Sequence, residues 1–117
     1  MQRDIRSFLW DVREAADAIM GFTQGRSFDD YVADLMFRSA VERQFEIIGE
    51  ALSQLARIDP ALAARIPNLR QIVDFRNALI HGYDRIKDLT VWQTARDDLP
   101  TLRAQVAALL VELGEQP

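Results

Sequence analysis

The 117-residue sequence contains no cysteine and a single histidine, His81. The absence of cysteine excludes disulfides and thiolate metal sites, and it fits a reducing compartment, so we expect a cytoplasmic protein. One histidine without a cluster of other ligands is too little for a transition-metal site. We therefore expect no metal and no other cofactor.

Long apolar runs are also missing. The longest, VAALLV at residues 106–111, is far shorter than the roughly 20 residues needed to cross a bilayer. The N-terminal residues MQRDIRSF contain no apolar segment of the kind found in secretory signals. These two absences predict a protein without membrane association.

Sustained alternation of apolar and polar residues, which is typical of strands, does not occur. Apolar residues instead recur at spacings of three and four almost throughout, which predicts an all-α bundle of four to five helices in one domain, residues 1–117. The first helix should begin after Asp4 and end near Gly21 and Gly25. The second, capped by Ser27, should run for nearly thirty residues, with an almost heptad seam at Phe37, Val41, Phe45, Ile48, Leu52 and Leu55. A second stripe on this helix, at Ile47 and Ala51, could pack against a partner helix.

Prolines and polar caps divide the second half of the chain. Asp59 should cap a short helix that Pro67 closes, and Asn68 should cap the next helix. Gly82 is the natural end of that helix. Pro100 should kink or restart a last helical region, because proline cannot donate the helical hydrogen bond.

The formal net charge is −4, which argues mildly against a general nucleic-acid binder. The charge is uneven: residues 57–87 carry six basic and three acidic side chains. This segment is therefore +3 and the remainder −7. Either the segment handles phosphate, or the imbalance is an ordinary fluctuation in a small domain.

The segment DFRNALIHGYDR, residues 74–85, concentrates polar groups that could act on a phosphate. On a helix, Asn77 and His81 are i,i+4 neighbours, and Arg76 and Tyr83 lie seven residues apart on an adjacent line. Histidine titrates in the range that suits general acid–base catalysis. Taken singly, however, each residue is more often structural, so spacing alone leaves catalysis and a satisfied polar face both open.

The stretch RNALIHGY resembles the R-N-x-L-I/V-H-x-Y signature of HepT-like proteins, the toxin branch of the HEPN superfamily of R-x4-6-H ribonucleases. FEIIGEA, residues 45–51, is similar to the second recognisable stretch of that family. The resemblance implies a homodimer whose motif helices line a shared cleft. It also implies a metal-independent endoribonuclease, the toxin of a type VII toxin–antitoxin system with a minimal nucleotidyltransferase (MntA-like) antitoxin.

The resemblance also assigns roles to residues. Arg76, Asn77 and His81 would be catalytic, Arg76 and Tyr83 would bind RNA phosphate, and Tyr83 would accept AMP from the antitoxin. RNA cleavage without a metal needs both an acid and a base. One histidine cannot easily serve as both, whereas two histidines across a dimer could.

Three glutamates, Glu42, Glu46 and Glu50, follow one another at i,i+4 on the long helix, where like charges repel slightly. They could form a solvated face, or Glu50 could anchor Arg76 as a supporting carboxylate. Two other functions stay open. One is a non-catalytic HEPN interaction module that binds nucleotide or presents substrate to a nucleotidyltransferase, and the other is a structural helical dimer.

Overall fold

A computed structural model describes residues 4–81 and 88–114. Within these ranges every regular element is helical, which confirms the all-α prediction. The helices are α1 Ile5–Thr23, α2 Phe28–Ala33, α3 Leu35–Ile58, α4 Pro60–Ala63, α5 Leu69–Ile80, α6 Asp88–Gln93 and α7 Leu99–Glu112, and a π-helical turn, Thr94–Asp98, joins α6 to α7. None of these described helices is both long enough and apolar enough to span a bilayer. The predicted stop at Gly82 lies outside the described residues.

The four longer helices form the bundle. Helix α1 packs against both α3 and α7, and α3 packs in turn against α5. All six predicted seam residues of α3 are buried, because their spacing keeps them on the side of α3 that faces the core. Helix α5 lies at the edge of the bundle, and Ile72 is its one buried residue.

The long helix is confirmed, but its predicted start at Ser27 is wrong. Ser27 caps the short helix α2 in a capping box with Asp30, and α3 begins only after Asp34. The backbone of Asp34 is extended (φ −122°, ψ 103°), and its carboxylate accepts a hydrogen bond from the Phe37 N–H at 3.2 Å. A second cap thus interrupts the helix although the apolar pattern continues through it.

The break turns α2 so that Tyr31 is fully buried. Its ring meets Phe37 edge-on, with centroids 5.2 Å apart, and lies 5.7 Å from Trp92 of α6. This aromatic cluster ties α2 to α3 and α6, which explains why the chain interrupts an otherwise continuous helix.

The caps predicted for α4 and α5 have different outcomes. Asp59 caps α4 as predicted, accepting from the Leu62 N–H at 3.0 Å, but α4 already ends at Ala63, before Pro67. Asn68 precedes α5 but makes no side-chain cap. Its φ of 64° is left-handed, whereas a capping side chain requires the extended backbone.

Pro100 lies at a change of helix type in the last helical region, where the path restarts as an α-helix without a break. It is the second residue of α7, which begins directly after the π-helical turn. Proline cannot donate to the carbonyl four residues earlier, and the wider π turn accommodates this lost bond without ending the helical path.

Candidate active site

Gly49 of α3 lies directly against the stem of Arg76 on α5. A Cβ atom added there would overlap the Cβ and Cγ atoms of Arg76 and lie 3.1 Å from its Cδ. Glycine in a helix costs roughly 1 kcal/mol relative to alanine, and close backbone approach is one of its uses. The missing side chain at Gly49 therefore gives the stem of Arg76 its path across α3. One turn before Gly49, Phe45 meets Phe75 edge-on at 5.1 Å and packs the same interface.

This path brings the guanidinium of Arg76 to Glu50. Nη2 of Arg76 donates to Oε2 of Glu50 in an ion pair, and Nη1 donates to Oδ1 of Asn77 at 2.7 Å. The other oxygen of Glu50, Oε1, accepts from Nε2 of Gln54 at 2.8 Å. A chain of side chains thus runs from Gln54 through Glu50 and Arg76 to Asn77. The sequence left open whether Glu50 belongs to a solvated face or anchors Arg76. The ion pair places it against Arg76.

The ion pair is only partly shielded from water. The Arg76 side chain is 20% exposed and that of Glu50 is 45% exposed. Nε of Arg76 is buried and has no hydrogen-bond partner among the described residues. Arginine carries five N–H donors, so the guanidinium keeps donors beyond the two that hold it in place.

His81 is the C-cap of α5, with φ −79° and ψ −1°, and its backbone N–H donates to the Asn77 carbonyl at 3.1 Å. Its side chain is exposed at the end of the helix. The structure thus places Arg76, Asn77 and Glu50 in one network, with His81 at the next turn of α5. Tyr83, the predicted AMP acceptor, lies outside the described residues.

An open pocket of about 220 Å³ lies beside this network. Its charged lining consists of Asp11 from α1, Arg43, Glu46 and Glu50 from α3, and Arg76 from α5. Ile47, Ala51 and Ile80 supply its apolar wall, so the second stripe of α3 faces this pocket. With three carboxylates against two guanidinium groups, the lining of a single chain carries one formal negative charge.

The three glutamates of α3 have separate surroundings. Glu50 binds Arg76, and Glu46 lies 4.0 Å from the exposed Arg43. Burial, with Asp88 and Glu46 nearby, raises the pKa of Glu42 above its ordinary value. In the described part of the chain, no group of three or more potential ligands could hold a metal ion.

Sequence reasoning missed three residues at this site: Gly49, Gln54 and Asp11. Gly49 carried a signal, since a glycine within a strongly periodic helix indicates a close packing contact. Gln54 also carried one, because it lies i,i+4 from Glu50 on the same face. Asp11 comes from another helix, and no local pattern placed it in the same pocket as Arg76.

The family described as Ribonuclease HepT-like matches residues 12–109 of the chain. A protein of Thermococcus cleftensis named as a probable ribonuclease HepT is 33% identical over 93% of this chain and 98% of its own length. A protein of Methanocaldococcus jannaschii named as a candidate RNase is 30% identical over 98% of both chains. Another from that organism, named in the same way, is 33% identical over 90% of this chain and 95% of its own. No solved structure matches the chain with significance.

Proposed function

The chain belongs to the HepT-like ribonuclease family, and on that premise we propose that it is a metal-independent endoribonuclease that acts as a homodimer. The observation that carries the proposal is the tethered Arg76. Its guanidinium is fixed by Glu50 and Asn77, one helical turn from the exposed His81. A planar, oriented guanidinium suits the oxygens of a phosphodiester.

In the proposed reaction, one histidine removes the proton from the 2′-OH of the RNA, and that oxygen attacks the adjacent phosphorus. The bond from phosphorus to the 5′-oxygen breaks, and a second proton donor protonates the leaving oxygen. Arg76 stabilises the negative charge that develops on the phosphorane. Asn77 already accepts from Arg76 through Oδ1, which leaves its amide nitrogen to orient His81 or to bind phosphate.

A second copy of the chain supplies what one copy lacks. Each chain has one histidine, and a dimer provides the pair that acid and base catalysis require. The negative formal charge of the pocket lining also means that RNA affinity must draw on further cations. Arg85 and Lys87 lie two and four residues after Tyr83 in the sequence, and a second copy doubles their number.

We further propose that the protein is the toxin of a type VII toxin–antitoxin system. Its partner is a minimal nucleotidyltransferase that attaches AMP to Tyr83. The adduct adds bulk and a negative phosphate within two residues of His81, so it opposes RNA binding by steric exclusion and by charge. Intact-protein mass spectrometry after co-expression with the nucleotidyltransferase tests this step: an AMP adduct on Tyr83 supports it, and an unmodified chain overturns it.

Cleavage of RNA by the purified protein in EDTA tests the activity. Arg76→Ala and His81→Ala should each lower the rate by roughly 100-fold or more, the range of acid–base and electrostatic contributions. Arg65→Ala is the matched control, because it removes an exposed arginine that pairs with Glu112 at 2.8 Å, away from the motif. If His81→Ala cuts RNA as fast as the unaltered protein, the assignment is wrong.

Subunit mixing tests the shared site. Unaltered chains mixed with excess His81→Ala chains should lose activity faster than dilution predicts, and sedimentation should give the mass of a dimer. An active monomer contradicts this part of the proposal. Intact RNA, together with nucleotide-dependent binding to the nucleotidyltransferase, would instead support the non-catalytic interaction module.

A further inference from the structure

Gln54 lies one turn after Glu50 on α3 and binds the oxygen of Glu50 that Arg76 does not use. Its Nε2 donates to Oε1 at 2.8 Å, while Oε2 accepts from Arg76. We propose that Gln54 is a positioning residue of the ribonuclease site, which orients the Glu50 carboxylate and through it the Arg76 guanidinium. This inference rests on the proposed function for its effect on rate, but not for its effect on Arg76.

The carboxylate needs such a second contact. Glu50 is 45% exposed, and a glutamate side chain on a helix surface loses conformational entropy when it is held in one rotamer. Arg43, two turns before Glu50 on α3, lies 4.0 Å from Glu46. Among the described contacts, two side chains thus hold the Glu50 carboxylate by hydrogen bonds: Arg76 and Gln54.

The chemistry of the amide suits this role better than a charge would. A lysine at position 54 would be a favourable i,i+4 partner for Glu50 and would compete with Arg76 for it. A glutamate at position 54 would repel Glu50. The neutral amide N–H fixes one oxygen without placing a second cation beside the carboxylate, so it does not compete with Arg76 as an ion-pair partner.

The effect on catalysis follows from geometry. Arg76 is held at two points, Glu50 and Asn77, and a small displacement of Glu50 turns the guanidinium about Asn77. The Gln54–Glu50 hydrogen bond has a charged acceptor, but the carboxylate is 45% exposed, so solvent screening should limit the effect of losing it to roughly 3- to 10-fold. We expect Gln54→Met, which keeps the length but removes the donor, to lower kcat/KM by about that factor, mainly through kcat.

Two measurements on Gln54→Met test the proposal. The first is the NMR signal of the Arg76 Nε–H, identified by its loss in Arg76→Lys. Because Nε is buried, its proton should exchange slowly in the unaltered protein, and Gln54→Met should shift the signal and speed the exchange. The second is RNA cleavage, alone and in a Glu50→Gln background. Gln105→Met, at an exposed position on α7, is the matched control and should change neither.

The outcomes separate the positioning role from the proposed activity. A changed Arg76 signal, a lower kcat, and less than about a twofold further effect of Gln54→Met in the Glu50→Gln background support the full proposal. A changed Arg76 signal in a protein that leaves RNA intact supports positioning and overturns the ribonuclease function. An unchanged Arg76 signal overturns the role of Gln54 whatever the cleavage rate, as do additive effects of the two substitutions.

Discussion

Gly49→Ala should decrease both the stability and the activity of this protein, although alanine is the better helix former. Taken alone, helix propensity predicts a gain of about 1 kcal/mol. The new Cβ atom, however, overlaps two side-chain carbons of Arg76, and non-bonded carbons settle at about 3.5–4.0 Å. The stem of Arg76, and with its Cβ atom the backbone of α5, must therefore move by roughly 1.5 Å, and overpacking of this kind costs about 1–3 kcal/mol. The net expectation is a loss of up to about 2 kcal/mol in the free energy of unfolding.

The effect on activity should be larger than the effect on stability. A displacement of about 1 Å at a catalytic group can cost roughly 100-fold in rate, and the same movement pulls Arg76 away from Glu50. Urea denaturation and RNA cleavage measure the two losses. Gly21→Ala is the control, because Gly21 lies within α1 with nothing near its added Cβ atom, so it should gain stability and keep full activity. A Gly49→Ala protein that is stabilised like Gly21→Ala and fully active would refute the reasoning.

Two further predictions concern the buried hydroxyl of Tyr31 on α2 and the partly buried carboxyl of Glu42 on α3. The hydroxyl of Tyr31 is buried and has no hydrogen-bond partner among the described residues, so Tyr31→Phe should be neutral or stabilise the fold by about 1 kcal/mol in urea denaturation. A loss of more than 1 kcal/mol would reveal a partner for this hydroxyl. The raised pKa of Glu42, caused first by burial and then by Asp88 and Glu46, means that the folded state binds a proton more tightly than the unfolded state. Stability should therefore fall as the pH rises from about 4.5 through the folded pKa. Glu42→Gln should remove this loss, raising stability at pH 7 by roughly 0.2–0.5 kcal/mol, an amount limited by solvent screening. Thermal melts at pH 4 and pH 7 check this, and an advantage of equal size at both would contradict it.

The spacing of apolar residues was enough to predict the bundle. Each residue of an α-helix is rotated by the same angle from the one before it, so spacing decides which residues face the core. The seam from Phe37 to Leu55 is therefore buried residue by residue. The break at Asp34 escaped prediction for the same reason: the apolar pattern continues on both sides of it. Aspartate, with its competing backbone hydrogen bonds, was the signal, but only the packing of Tyr31 shows why the chain breaks there.

The candidate site could be predicted only where its residues belong to one helix or to a recognised motif. Arg76, Asn77 and His81 come from one segment, and Glu50 came from the second stretch of the resemblance. Gly49 and Gln54 carried local signals, but only the approach of α5 to α3 at Arg76 shows what the glycine accommodates and what the Gln54–Glu50 pair holds. Asp11 is harder still to predict, because it belongs to α1 and lines the pocket only through the packing of α1 in the bundle.

The position of α5 at the edge of the bundle has a dynamic consequence. Arg76, Asn77 and His81 belong to a helix with one buried residue, which packs chiefly against one neighbour, α3. Segments with few buried contacts open at lower free energy than the core, so the backbone amides of α5 should exchange with solvent well before those of α1 or α3. The residues proposed for catalysis can thus be released as a unit while the rest of the bundle stays folded. Any partner that covers α5 should therefore suppress this local opening first, before its binding is felt by the core.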